Sequence, residues 1–246
     1  MQDRAARTRR DLIRSAAELI EQGGFAGASV GQICALAGVS RGALHFHFGN
    51  KQALGEAVES TAAEILLCVT GQVPERHPAP LQFLVDTSHT LAQRVVCDPV
   101  LRAGFTLAHD AAWHSDVSLW QHWRQWVRGL LDLARRQGSL ARDVDLDGAV
   151  SAITALMAGL EGLERDPARD RIARSVTPFW RLVLPQLAAE AVRGRIEAAG
   201  SSAAMADEPP LERWRLDDGA APHECAAMSD AELCCVPYRE MSGSAS

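Results

Sequence analysis

Lysine is nearly missing from this 246-residue chain: Lys51 stands alone, and arginine supplies the other 24 positive charges. The formal net charge is -6, which excludes a protein that coats nucleic acid along its whole length. The six cysteines, at 34, 68, 97, 225, 234 and 235, are scattered, with no CxxC and no Cys/His ligand spacing. They read as reduced thiols of an intracellular protein. No apolar run is long enough to span a bilayer, and MQDRAARTRRDLI lacks the apolar centre of a signal peptide. A soluble, cytoplasmic, nucleoid-associated protein with no membrane partner is therefore expected. GxSxG, a phosphate loop, a dinucleotide fingerprint and HExxH are all absent, so no catalytic residue is assigned and no cofactor is implied. Nothing alternates as a strand does. The fold expected is all-α.

Charge is unevenly placed. Residues 1–52 carry seven cations against four anions, a local +3, which leaves -9 for the remaining 194 residues. A basic head on an acidic body is the asymmetry of a chain that meets phosphate at one end. Within that head, residues 29–51 read SVGQICALAGVSRGALHFHFGNK. Ser29 can cap a first short helix, with Gln32 closing a capping box. Gly38 supplies a residue able to take positive φ at the turn. Ser40 caps a second helix, Val39 can staple onto Leu44, and Asn50 caps a third. Two short helices across a tight turn form a helix-turn-helix, which sets a recognition helix in the DNA major groove. Arg41 lies in its first turn, where a long cation reaches a phosphate or a guanine edge. Gly42 and Ala43 are small enough for close approach.

Gly24-Phe25, Ser29-Val30, Ile33, Ala37 to Ser40, Gly42, His47-Phe48, Lys51 and Leu54 resemble the N-terminal signature of TetR-family transcriptional repressors. The runs QDRAARTRR and RGALHFHF are similar to one branch, the γ-butyrolactone autoregulator receptors of actinomycetes. The resemblance implies a dimer on a palindromic operator. It also implies that Thr8 and Arg9 approach the DNA backbone and that Lys51 meets a phosphate. The candidate DNA-facing set is Thr8, Arg9, Ser29, Ser40, Arg41, Gly42, Ala43, His45, His47 and Lys51. One position departs from the pattern: the receptors read ALYFHF, and here His45 replaces a tyrosine that commonly contacts DNA. An imidazole is shorter and titrates near neutrality.

Helical periodicity predicts further helices over residues 7–22, 51–72, 81–96, 100–108, 116–137, 146–163 and 169–187, broken by glycine and proline. The domains expected are a DNA-binding head, 1–52, a ligand-binding and dimerisation body, 53–195, and an acidic tail, 196–246. Residues 200–246 hold nine acids against three arginines and show no periodic apolar face, so the tail reads as disordered. The vicinal Cys234-Cys235 lies within it. His109, His114 and His122, with Asp110 and Asp116, tempt a metal assignment. His109 and Asp110 are adjacent and point to different helix sides, so these read as surface or pocket-rim groups and no metal is assigned.

Trp113, Trp120, Trp123 and Trp126 crowd into fourteen residues of a chain whose aromatic content is 5%. Taken singly, each is as readily ordinary core. The resemblance singles out Trp123: LRAG at 101–104, then a tryptophan fifteen residues before Gly138, looks like the receptors, where that indole lies against the bound lactone. The ligand-facing set is Trp123 with Phe83, Leu84, Leu101, Phe105, Trp126, Val150, Thr154 and Met157, and Val100 and Leu107 nearby. The expected function is a repressor released from its operator by a small lipophilic signal of γ-butyrolactone type, controlling secondary metabolism. A receptor of the same fold answering a butenolide, furan or antibiotic stays open, and an enzyme using the pocket is the remote third reading.

Overall fold

The computed structural model describes residues 2–163 and 175–201, and among them no strand forms. The chain is all-α, with ten helices among the described residues. Their only sheet-like feature is one isolated bridge between Leu140 and Ala188.

Helix α1, Gln2–Gly27, begins five residues before the expected start, because QDRAAR continues the same turn without a breaker. It is interrupted at Gly24, whose φ of 70° and ψ of 177° are non-helical. Leu12, Ile13, Ala16, Ala17 and Ile20 recur at helical spacing and are buried. They face α2, Val30–Leu36, and α4, Lys51–Thr70. Between those two lies α3, Arg41–Phe48. The expected caps form: the Ser29 hydroxyl accepts from the Gln32 N–H while the Gln32 side chain accepts from the Ser29 N–H. Ser40 accepts from the Ala43 N–H at 3.2 Å and Asn50 from the Ala53 N–H at 2.8 Å.

Proline opens the next two helices, α5, Pro80–Cys97, and α6, Pro99–Leu107. At a first helical position the missing N–H costs nothing. The Asp98 carboxylate then accepts from Val100 and Leu101, supplying the cap. Helix α6 is nearly all buried and packs against both α1 and α4. Helix α7, Leu119–Arg136, starts three residues later than expected, since Ser118 takes the cap position and accepts from the Gln121 N–H. It packs on α5 and on α8, Leu146–Leu163. Helix α9, Val176–Leu187, covers the described part of the predicted 169–187 helix; 169–174 lie outside the described residues. Its core stripe is Val176, Trp180, Leu184 and Leu187. Phe179 and Val183 beside it are half-buried.

A single turn, α10, Glu190–Arg193, follows. Residues 196–201, assigned to the tail by their composition, are held against α5. Gln82 exchanges hydrogen bonds with the Glu197 backbone, and Asp86 accepts from both the Ser201 N–H and hydroxyl. The His89 ring meets the Ala198 carbonyl at 3.0 Å. The rest of the predicted tail, with Cys234-Cys235, lies outside the described residues. Among the described residues, no helix is long and apolar enough to cross a membrane.

Candidate functional site: a recognition helix joined to an aromatic body

On α3 the packing divides the residues sharply. Leu44 is buried, Ala43, His47 and Phe48 are half-buried, and Arg41, Gly42, His45 and Phe46 are exposed. Positions i, i+1, i+4 and i+5 share one arc of a helix, so these four make its outward face. His45 does not extend straight outward. Its Nδ1 lies 2.6 Å from the Gly49 carbonyl, so that nitrogen is the donor and carries the proton. Phe46 was missed from sequence, because an apolar residue inside an apolar pattern reads as core.

The other expected DNA-facing residues fall into two groups. Ser29 and Ser40 are exposed, but their hydroxyls are occupied as caps. Thr8 is half-buried, and the exposed Arg9 lies over the Phe48 ring at 5.2 Å, a cation–π contact. Lys51 turns inward: its ammonium sits 4.4 Å from the Phe25 ring centroid and donates to the Ala26 carbonyl at 3.4 Å. Burial lowers its pKa below the ordinary lysine value, and the Asp110 carboxylate partly offsets that.

Lys51 thus belongs to a joint between head and body. The Asp110 carboxylate accepts from the Phe25 N–H at 2.6 Å, bridging 85 residues of sequence. Gly24 makes this possible, because its positive φ aims that N–H at the carboxylate, and any Cβ there would lie 2.7 Å from Asp110 Oδ2. Trp113 packs edge-on against Phe25, 4.6 Å between centroids, and donates from Nε1 to the buried Glu59 at 3.1 Å. Arg102 pairs with Glu21 at 2.9 Å and donates to the Val95 and Val96 carbonyls. The LRAG run acquires a physical meaning here. Leu101 and Ala103 are core, Arg102 ties α5 to α1, and Gly104 lets α6 meet α4, since a Cβ would come 2.3 Å from that of Ala62. None of Asp110, Glu59 and Glu21 was legible as a joint from sequence, because their partners are distant along the chain.

The expected ligand-facing residues are closed on one another. Leu84, Leu101, Phe105, Trp123, Trp126, Val150 and Met157 are buried in one apolar cluster, with Phe83 half-buried against it. Thr154 is buried and spends its hydroxyl on the Val150 carbonyl. The aromatic rings form two groups. Trp123 stacks on Trp126 at 5.3 Å and 19°, Trp126 meets Phe83 at 5.8 Å, and Phe83 stacks on His77. Phe105 goes elsewhere, against Trp120, whose Nε1 donates to His109 Nδ1 at 3.1 Å. The indole N–H groups of Trp123 and Trp126, and that of Trp180 on α9, are buried without a hydrogen-bond partner, at a cost of about 1–3 kcal/mol each.

Beside this core, α4 and α7 flank an open groove of about 310 Å³, lined by Ala63, Leu66, Leu67, Leu119, His122 and Gln125 among others. None of the nine expected ligand residues lines it. His122 bonds Thr70 at 3.2 Å, and burial lowers its pKa; burial likewise outweighs the other influences on His77. His114 is exposed. No group of three or more His, Cys, Asp or Glu suited to a metal ion occurs among the described residues.

Residues 12–58 match the bacterial regulatory proteins of the tetR family. The head matches the tetR family over that stretch, and the fold as a whole is TetR-like. It is 28% identical over 236 residues to the A-factor receptor protein of Streptomyces griseus, covering 94% of this chain and 82% of that one. A solved γ-butyrolactone receptor, an ArpA-like protein, superposes with a TM-score of 0.68 at 25% identity, covering 85% of this chain and 98% of the other. CprB of Streptomyces coelicolor, solved in complex with its biological operator sequence, gives 0.67 at 26% identity, over 80% and 94%. The chain therefore has relatives over both its head and its body, and they are regulators rather than enzymes.

Proposed function

We propose that this TetR-family regulator is a repressor that binds a palindromic operator as a dimer. A small lipophilic signal of γ-butyrolactone type releases it, and it controls secondary-metabolite genes. The observation that carries the ligand half is the pair of buried, unpartnered indole N–H groups at Trp123 and Trp126. An apolar site with a few unmet donors suits a small, mostly hydrocarbon molecule bearing a carbonyl. A lactone carbonyl accepts such a bond, and its alkyl chain lies against Leu84, Leu101, Val150 and Met157. The similarity to the A-factor receptor and the ArpA-like protein supports the same class of signal.

Thr8, Arg9, Ser29, Ser40, Arg41, Gly42, Ala43, His45, His47 and Lys51 are the proposed DNA-side residues, with Arg41 and His45 on the outward arc of α3. The division at residues 1–52, 53–195 and 196–246 is proposed with them. Two heads about 34–36 Å apart read adjacent grooves. Pairing through α8 and the helix ending at Leu187 is supported by an outward row of small residues, Ser151, Ala152, Ala155 and Gly159, and by Leu182, 78% exposed.

Release runs through the joint. A molecule entering beside Trp123 displaces α7 and the connector before it, which holds Phe25 through Asp110 and Glu59 through Trp113. If the liganded body prefers heads out of register with the groove, operator affinity falls by the signal's differential affinity for the two states. A gel shift on DNA upstream of the protein's own gene tests this. Retardation should appear with protein alone and disappear on adding a synthetic γ-butyrolactone. Loss of the shift with a butenolide or furan, but not with the lactone, would move the assignment to that signal.

A further inference from the structure

We propose that Phe46 is a specificity-determining residue that seats on a thymine C5-methyl group in the major groove of the operator. The proposal rests on the reading of α3 as the recognition helix. Phe46 is 83% exposed, while the other apolar side chains of α3 are buried or half-buried against the head. Its ring makes an edge contact with His47, 5.2 Å between centroids at 84°, and takes no part in the apolar core. It is therefore the one large apolar group on the outward arc, flanked by Arg41, Gly42 and His45.

Each neighbour on that arc favours deep insertion. Gly42 adds no bulk, so the helix backbone can come close to the groove. The His45 ring is drawn back along the helix by its bond to Gly49 and does not shield Phe46. Arg41 brings the cation that meets phosphate or guanine. An aromatic ring carried into the major groove by such a face meets polar edges everywhere except at thymine, whose methyl is the only apolar group there. Withdrawing that methyl and the ring from water together is what favours the contact. An α-helix fits the major groove and not the minor one, so the ring is a reader of the groove floor rather than a wedge between base steps.

The test uses the full chain. Random-site selection with the wild type first yields a duplex, and each thymine in it is then replaced singly by deoxyuridine, which lacks only the methyl. At one position in each half-site the replacement should weaken wild-type binding by about fourfold, the size expected for one methyl group withdrawn from water. Phe46→Ala should bind the thymine duplex correspondingly less well and be indifferent to deoxyuridine at that position. Its own selection should lose thymine there and keep the remaining preferences. Because Phe46 is exposed, Phe46→Ala should melt with the wild type, which separates reading from folding. If Phe46→Ala selects the same site with the same thymine preference, or deoxyuridine costs both proteins equally everywhere, the assignment is overturned while DNA binding stands. If the wild type enriches no duplex, the recognition-helix reading falls and the Phe46 assignment falls with it.

Discussion

The outward face of α3 and the aromatic centre of α7 break opposite rules. On α3 a phenylalanine is left in solvent. On α7 two indole N–H groups are taken out of solvent and left unpaired. Each arrangement is locally unfavourable; α9 shows both again, at the exposed Leu182 and the buried, unpaired Trp180 N–H, whereas much of the head and the joint does not. The Ser29 and Ser40 hydroxyls are satisfied, the Trp113 and Trp120 N–H groups have partners, and the head core is closed over Leu12, Ile20 and Leu44. Sites that depart from the rules their surroundings obey are commonly functional or strained. An exposed apolar ring asks for an apolar groove floor, and a buried donor asks for an acceptor small enough to enter.

Two variants should separate the regions most strongly. Arg41→Ala should weaken operator binding by about tenfold or more and reduce its salt slope by about one, while lactone binding, followed by tryptophan fluorescence, stays unchanged. An unchanged salt titration would remove Arg41 from the contact. Trp123→Phe keeps the aromatic bulk and deletes the donor, so it should do the reverse. Lactone affinity should drop by about fivefold to tenfold, with operator binding in the absence of lactone intact. Equal lactone affinity in both proteins would take Trp123 out of the site. Trp123→Ala is a poorer probe than Trp123→Phe, because the side chain is wholly buried and truncation costs about 3–5 kcal/mol of stability.

Asp110→Asn tests whether the two regions communicate through the joint. It trades a charge-assisted hydrogen bond for a neutral one, a loss of about 1 kcal/mol. The ratio of operator affinities with and without lactone should shrink several-fold while each affinity alone moves less. A ratio equal to the wild type's would place the coupling elsewhere. The smallest effect concerns pH. Burial lowers the His122 pKa in the folded chain, so the unfolded chain binds the proton more readily. That stabilising contribution is whole above the unfolded value, near 6.5, and is lost as pH falls below it. Melting temperature should therefore fall between about pH 7.5 and about pH 5.5, and fall less in His122→Asn. Equal falls in both would show that His122 does not contribute.

Much of the head was legible because its signals are local. Ser29 with Gln32, Ser40 with Ala43 and Asn50 with Ala53 are each three residues apart, and a cap needs nothing else. The all-α fold and the approximate spans of α5 to α8 followed from periodicity in the same way. The misses have a common cause. Asp110 finds Phe25 across 85 residues, and Gln82 and Asp86 hold Glu197 and Ser201 across 115. No local pattern carries such pairings, so the joint and the anchored stretch 196–201 were invisible. Phe46 was missed for a related reason: which apolar residue of FHF turns outward is decided by how α3 packs on its neighbours.

The central claim is that the aromatic body and the recognition helix are one switch. Its most direct test is the operator Kd of the wild-type chain at zero and at saturating γ-butyrolactone, with lactone occupancy followed in parallel by tryptophan fluorescence. Kd should rise by about tenfold or more, within the usual range of coupling between two sites. A lactone that fills the protein and leaves the operator Kd unchanged would contradict it.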